Sequence, residues 1–127
     1  MKLGYIIHYV SDVVKTMTFY ENAFGLERKM LHESKEYGEM KTGDTVLAFA
    51  STAMADHNGF KIYPNTPQEK PAGIEIAFVT KDVEAAHKKA CDAGAVSIKQ
   101  PEEKPWGQTV SYVRDINGCL VELCSKI

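Results

Sequence analysis

Residues 5–25 read YIIHYVSDVVKTMTFYENAFG, and they contain two successive structural signals. The opening residues are rich in Ile, Tyr and Val, which favour extended structure, so we predict a strand over residues 3–10. A helix then follows, because Ser11 or Asp12 can accept hydrogen bonds from its first amides and Gly25 can stop it. Its apolar residues recur at i, i+4, i+7 and i+11 as Val13, Met17, Tyr20 and Phe24.

The same order of features returns in residues 75–94, EIAFVTKDVEAAHKKACDAG. Asp12-Val13 and Asp82-Val83 are separated by 70 residues. A second related pair, GDTVLAFAS over 43–51 and NGCLVELCS over 117–125, begins with a turn dipeptide and continues into an apolar strand. The repeat predicts an α+β fold of two tandem βαβββ modules, with module one over 1–51, a loop over 52–72 and module two over 73–127, all within a single domain.

Module two is expected to repeat the pattern of module one. Thr80 or Asp82 can cap its helix, and Gly94 follows the helix end. The predicted apolar stripe of this helix is Val83, Ala86, Ala90 and Ala93. The remaining strands are expected near 27–33, 36–42 and 45–51 in module one, and near 74–79, 95–100, 108–114 and 118–125 in module two.

The composition excludes several classes of protein. The chain has 127 residues, a net charge of −2 and 25% charged residues, which is typical of a globular domain and disfavours a nucleic-acid partner. Its three cysteines, Cys91, Cys119 and Cys124, form no CxxC motif, which favours a reduced, intracellular setting. No apolar run approaches 18 residues and no signal peptide is evident, so we expect a cytoplasmic protein without a membrane partner.

The paired modules resemble the vicinal oxygen chelate superfamily, which includes glyoxalase I, extradiol dioxygenases and bleomycin-resistance proteins. The resemblance rests on YVSDVVKTMTFYENAFGL in the first module and on EIAFVTKDVEAAHKKACDAGA and PWGQTVSYVRDINGCLVEL in the second. It implies curved mixed sheets that form a barrel-like cleft, a small-molecule ligand and a homodimer. Metal enzymes of the superfamily place ligands at four positions, which here correspond to Tyr5, Ala48, Glu75 and Glu122.

His8 interrupts the first apolar run and is the obvious alternative metal ligand. Side chains alternate along a strand, so His8 faces the side opposite to Tyr5. The repeat pairs His8 with Phe78, an apolar residue suited to lie under a helix. We therefore expect His8 behind the sheet. The other histidines, His32, His57 and His87, lack ligand spacing and are expected at the surface.

The four implied positions make a poor transition-metal site. Zinc and nickel prefer imidazole or thiolate donors, and Ala48 has no donor at all. We therefore expect no tightly held cofactor. The alternative is a divalent metal such as Mn, Mg, Ni or Zn, held by Glu75 and Glu122.

The sequence offers two candidate catalytic residues, Glu75 and Glu122, which interrupt the apolar strands GIEIAF and CLVELC. Two carboxyl groups in one cleft can act as acid and base, although either can instead be salt-bridged to a nearby Lys or Arg. A thiol nucleophile at Cys124 is not expected, because no histidine is placed to activate it. The candidate ligand-binding residues are Tyr5, Tyr9, Trp106 and Tyr63.

Two functions remain open at this point. The first is a protein similar to the bleomycin-resistance branch, which binds a small organic molecule without a tightly held metal. The alternative is a lyase or isomerase of the glyoxalase I type, with Glu122 as base and a divalent metal. A dioxygenase is disfavoured, because its iron needs two histidines and no histidine is expected to face the cleft.

Overall fold

The computed structural model describes residues 1–127 and contains eight strands and three helices. They follow the predicted order of two successive βαβββ modules. The strands are β1 Tyr5–Val10, β2 Arg28–Leu31, β3 Tyr37–Met40, β4 Val46–Ser51, β5 Glu75–Val79, β6 Val96–Glu103, β7 Thr109–Arg114 and β8 Leu120–Cys124. The helices are α1 Val13–Phe24, α2 Ala53–His57 and α3 Val83–Asp92.

The chain divides into two compact units, each built on one four-stranded sheet. Unit 1 comprises Met1–Glu21 and Gly25–Pro64, with strand order β1-β4-β3-β2. Unit 2 comprises Asn22–Phe24 and Asn65–Ile127, with order β5-β8-β7-β6. In both sheets the first pair of strands is parallel and the other pairs are antiparallel. The predicted α+β class with mixed sheets is confirmed, and neither sheet closes into a barrel.

The two long helices begin at equivalent aspartates, as the repeat predicts. The Asp12 carboxylate accepts a hydrogen bond of 3.0 Å from the Lys15 amide, and Asp82 accepts one of 3.0 Å from Ala85. Each bond satisfies an amide that has no partner within its helix. Gly25 ends α1 in the left-handed conformation, with φ 68°.

In unit 1 the sheet packs α1 against one face. Tyr20 and Phe49 place their ring centroids 4.8 Å apart, and both side chains are buried, as is Met17. His8 lies on this helix side, with its ring edge-on to Phe49 at 6.3 Å. The prediction that His8 faces away from Tyr5 is confirmed, because His8 and Phe49 are cross-strand neighbours.

In unit 2 the sheet likewise packs α3 against one face. His87 lies on the buried side of this helix, contrary to the prediction. The buried residues of α3 are Val83, His87 and Ala90, whereas Ala86 is half-buried. His87 is only 4% exposed and was wrongly expected at the surface. Its Nδ1 lies 2.9 Å from the Ser111 hydroxyl and its Nε2 lies 2.8 Å from that of Ser97, so hydrogen bonds offset the cost of burying the ring.

Two further boundaries differ from the sequence prediction. The segment 52–72, expected to be a loop, contains the short helix α2. Strand β6 continues to Glu103 through Pro101, because it is an edge strand and a proline there interrupts no interior ladder. None of the helices combines the length and apolar character that a membrane span requires.

Candidate functional site

The strand register of unit 2 places Glu75 and Glu122 on the sheet face opposite α3. Ala77 on β5 lies opposite Glu122 on β8, and Glu75 lies opposite Leu120, so the two glutamates are diagonal neighbours. Ser111, which reaches His87 beneath α3, belongs to the other face. We call the face that carries the glutamates the open face of unit 2.

The two carboxyl groups lie close enough to interact. Hydrogen bonding with Glu122 is the largest cause of a raised pKa at Glu75; burial and the negative charge of Glu122 raise the pKa further. Two carboxyl oxygens can form a hydrogen bond only if one of them carries a proton. Glu75 therefore keeps its proton to a higher pH than an isolated glutamate does.

Tyr112 and Cys124 complete this cluster. Tyr112 on β7 lies directly opposite Glu122, and burial followed by the charges of Glu122 and Glu75 raises the pKa of its phenol. The Cys124 thiol is 4% exposed and lies 3.7 Å from the Phe78 carbonyl. Burial and the charge of Glu122 raise the pKa of this thiol, which disfavours the thiolate that a nucleophile needs.

No basic side chain neutralises the carboxyl pair. The ion pairs of the structure involve other acids, namely Glu21, Glu27, Glu39, Asp56, Asp92 and Glu102. The alternative in which Glu75 or Glu122 is salt-bridged to Lys or Arg is therefore not what the structure shows. Each carboxyl group has the other as its diagonal neighbour across the parallel strands, and Glu75 is exposed to solvent.

Unit 1 carries a different polar cluster on the sheet face opposite α1. The Tyr37 hydroxyl donates a 2.8 Å hydrogen bond to Glu39, and Lys29 Nζ lies 3.9 Å from the other oxygen of that carboxylate. Burial, then the bond to Glu39 and its charge, raise the pKa of Tyr37 well above the usual range, with a smaller contribution from Tyr5. Tyr5 is 54% exposed, whereas Ala48 is fully buried.

The other aromatic candidates lie apart from the carboxyl pair along the chain. Tyr9 contacts Phe60 edge-on at 6.1 Å, within unit 1. Tyr63 is fully exposed in the segment after α2. Trp106 is 62% exposed in the β6–β7 turn, where its indole N–H donates to Gln108 at 2.9 Å.

The donors at the four implied metal positions do not fit a zinc or nickel site. Ala48 offers no ligand atom, Tyr5 offers a phenol, and no imidazole is present among them. Both metals favour imidazole or thiolate ligands. The remaining donors, Glu75 and Glu122, offer only carboxyl oxygens. We therefore derive no chemical step through a metal.

Tyr112 is the member of the cluster that the sequence analysis missed. Counting outward from Asn117-Gly118 as a two-residue turn would have placed Tyr112 opposite Leu123, on the wrong register. The observed turn has three residues, 116–118, closed by a hydrogen bond from the Asp115 amide to the Cys119 carbonyl, and this places Arg114 opposite Leu120 and Tyr112 opposite Glu122. Strand alternation alone identified the faces but not the partners across them.

The chain belongs to the Glyoxalase/Bleomycin resistance protein/Dioxygenase superfamily. The sequence profile of that superfamily matches residues 2–123, nearly the whole chain. This confirms the resemblance derived from the two βαβββ repeats.

Similar proteins agree on the fold and leave the activity open. The uncharacterized protein YraH of Bacillus subtilis (strain 168) is 26% identical over 125 residues, covering 97% of each chain. A glyoxalase-related enzyme from Fulvimarina pelagi has a TM-score of 0.85 at 18% identity, covering 99% of this chain and 88% of its own. TioX from Micromonospora sp. ML1 has a TM-score of 0.75 at 16% identity, with both chains fully covered. Identities this low show a shared fold only.

Proposed function

We propose that this protein binds a small organic molecule on the open face of unit 2, without a tightly held metal. The observation that carries the proposal is the placement of Glu75 and Glu122 as diagonal neighbours on this face, with no basic counter-ion. Membership of a superfamily that includes small-molecule binders supports it.

The pair is chemically suited to anchor a polar group of a ligand. A protonated carboxyl donates a hydrogen bond and an ionised carboxylate accepts one, so together they can hold an amide, a hydroxyl or a carbonyl with its neighbouring N–H. Val79, which is 67% exposed on the same face, offers apolar contact beside them. A few polar groups within an apolar surface are typical of small-molecule sites.

The proposal is tested by a ligand screen that reads thermal stability of the wild type. Compounds that raise the melting temperature are then titrated against Glu122→Gln, which should weaken binding by about tenfold or more because a charged hydrogen bond is lost. Glu103→Gln, an exposed carboxyl on β6, is the matched control and should bind as the wild type does. Equal affinity of all three proteins would refute the carboxyl pair as the anchor.

The same pair of neighbouring carboxyl groups favours a second function, proton transfer in a lyase or isomerase. The ionised partner of the pair can accept a proton from a carbon next to a carbonyl, and the protonated partner can return one. With Glu122 as base, the wild type in deuterium oxide should exchange carbon-bound hydrogen of a bound ligand. Glu122→Gln should abolish that exchange, and a ligand bound without any exchange would leave only the binding function.

The proposal also includes an aromatic contact with the ligand and a homodimer. Trp106, in unit 2, is proposed to contact the ligand by stacking. Tyr5, Tyr9 and Tyr63 belong to unit 1, and their role as ligand contacts stays a prediction from the sequence. The homodimer expected from the resemblance is tested by sedimentation of the wild type. A monomer at all concentrations would contradict it.

A further inference from the structure

Arg114, at the end of β7, uses its guanidinium to bind backbone rather than a carboxylate. Its Nε donates to the Gly118 carbonyl at 2.8 Å. Its Nη2 donates to the carbonyls of Glu69 at 2.7 Å and Thr66 at 3.2 Å, and its Nη1 to that of Pro67 at 3.2 Å. One side chain thus ties the segment 65–70, which we call the strap, to the turn between β7 and β8.

Gly118 shows how closely the strap lies on that turn. It has a φ of 84°, and a Cβ placed on it would lie 2.6 Å from the Thr66 carbonyl oxygen and 2.6 Å from Arg114 Nη2. Both distances are well below normal contact. Any side chain at this position must therefore displace the strap or the guanidinium.

The strap is anchored at one end of the carboxyl pair. Arg114 lies opposite Leu120 on β8, and Leu120 lies opposite Glu75 on β5. Neighbouring strands are about 4.8 Å apart, so the backbones of Arg114 and Glu75 are separated by about 10 Å on the same row of the open face. An arginine side chain released from the strap has the reach to approach Glu75.

We infer that residues 65–70 form a strap, pinned by Arg114, that bounds the ligand site at its Glu75 end and withholds the guanidinium from Glu75. This inference rests on the proposed function, because the strap borders a ligand site only if the carboxyl pair belongs to one. The strap then limits how far a ligand extends past Glu75. It also leaves the pair without a basic counter-ion.

Release of the strap would change the pKa of Glu75, and the size of that change depends on the other charged and titratable groups around this carboxyl. Glu122 and Cys124 face it from β8, and Tyr112 and Arg114 from β7. Lys99 lies opposite Tyr112 on β6. Among these, Arg114 is the cation whose donors the strap occupies, so its release adds a positive charge beside Glu75 and lowers the pKa of that carboxyl.

The first measurement is amide hydrogen exchange of the peptide covering 62–72, in the full chain. Gly118→Ala and Arg114→Gln should each speed exchange there by roughly tenfold or more, because the strap loses its anchor. Gly107→Ala is the matched control, since Gly107 has a similar φ of 91° but a Cβ placed on it would meet nothing within 4 Å. Unchanged exchange in both strap variants would overturn the inference.

The second measurement is an NMR titration of the Glu75 carboxyl in the same proteins. Its midpoint should fall in Gly118→Ala, which frees Arg114, and should not fall in Arg114→Gln or Gly107→Ala. Faster exchange with an unchanged titration in Gly118→Ala would show that the strap does not border the carboxyl pair, and would overturn that part. Neither measurement needs a ligand, so a failed ligand screen would count against the proposed function and leave both results interpretable.

Discussion

The raised pKa of Glu75 gives unit 2 a pH-dependent contribution to stability. The folded chain holds this proton more tightly than the unfolded chain, so the contribution is full below the ordinary value of 4.5 and is lost as pH rises through the raised pKa. The free energy of unfolding of the wild type, measured against Glu75→Gln by urea denaturation, should therefore shift in favour of the variant as pH rises from about 4.5. A constant difference over this range would contradict the raised pKa of Glu75, and the stability of Glu103→Gln should show no such pH-dependent difference from the wild type.

His87 has the opposite pH dependence, because burial lowers the pKa of its ring. The folded chain binds this proton less tightly, so the stability contribution is present above the ordinary value of 6.5 and is lost as pH falls through the lowered pKa. His87→Gln should cost about 1–3 kcal/mol at pH 7.5, since buried hydrogen bonds to Ser111 and Ser97 are disturbed. That cost should shrink near pH 5.

The control for His87 is His57→Gln, which alters an exposed ring. Its free energy of unfolding should stay within about 0.5 kcal/mol of the wild type at both pH values. A loss at His87→Gln that is equal at both pH values would show that packing, and not titration, sets its contribution.

At the scale of the elements, the equivalent caps of α1 and α3 should contribute similar stability. Asp12→Ala and Asp82→Ala each remove one side-chain acceptor from a helix N-terminus, which costs about 1 kcal/mol. Because the two caps belong to different helices, the costs in the double variant should add within about 0.5 kcal/mol. Calorimetry of the three variants measures this, with Asp44→Ala, an exposed residue outside the helices, as control. A cap variant as stable as Asp44→Ala would refute its role.

At the scale of the whole molecule, the donor set predicts how the protein responds to metals. Purified without an affinity tag and titrated with Mn²⁺, Ni²⁺ and Zn²⁺, the chain should bind less than one equivalent by native mass spectrometry. Glu122→Gln should behave in the same way, because the implied positions supply neither imidazole nor thiolate to hold these metals tightly. Stoichiometric binding that is lost in Glu122→Gln would instead support the metal-dependent alternative.

Local patterns account for what could be predicted from the sequence. The two copies of strand and helix, and the aspartates that begin the helices, follow from periodicity and capping, which depend on residues close together in the chain. Strand alternation together with the repeat placed His8 behind the sheet, and the family resemblance placed Glu122 in the cleft. The helix pattern was less reliable, since the stripe chosen in α3 included Ala86 where the structure buries His87. Burial of a histidine in that stripe is tolerated only because Ser111 and Ser97 form hydrogen bonds with its ring.

The tertiary structure decided the contacts between residues far apart in the chain. Three contacts depend on strand register: the approach of Glu75 to Glu122, the position of Tyr112 opposite Glu122, and the capture of the strap by Arg114. A register shift of one residue would move each side chain to the other face, and composition does not record the register. The sequence by itself therefore determined the family and the faces of the sheets. Only the folded chain determined that the two carboxyl groups are neighbours and that the pKa of Glu75 is raised, because that requires their side chains to meet across parallel strands.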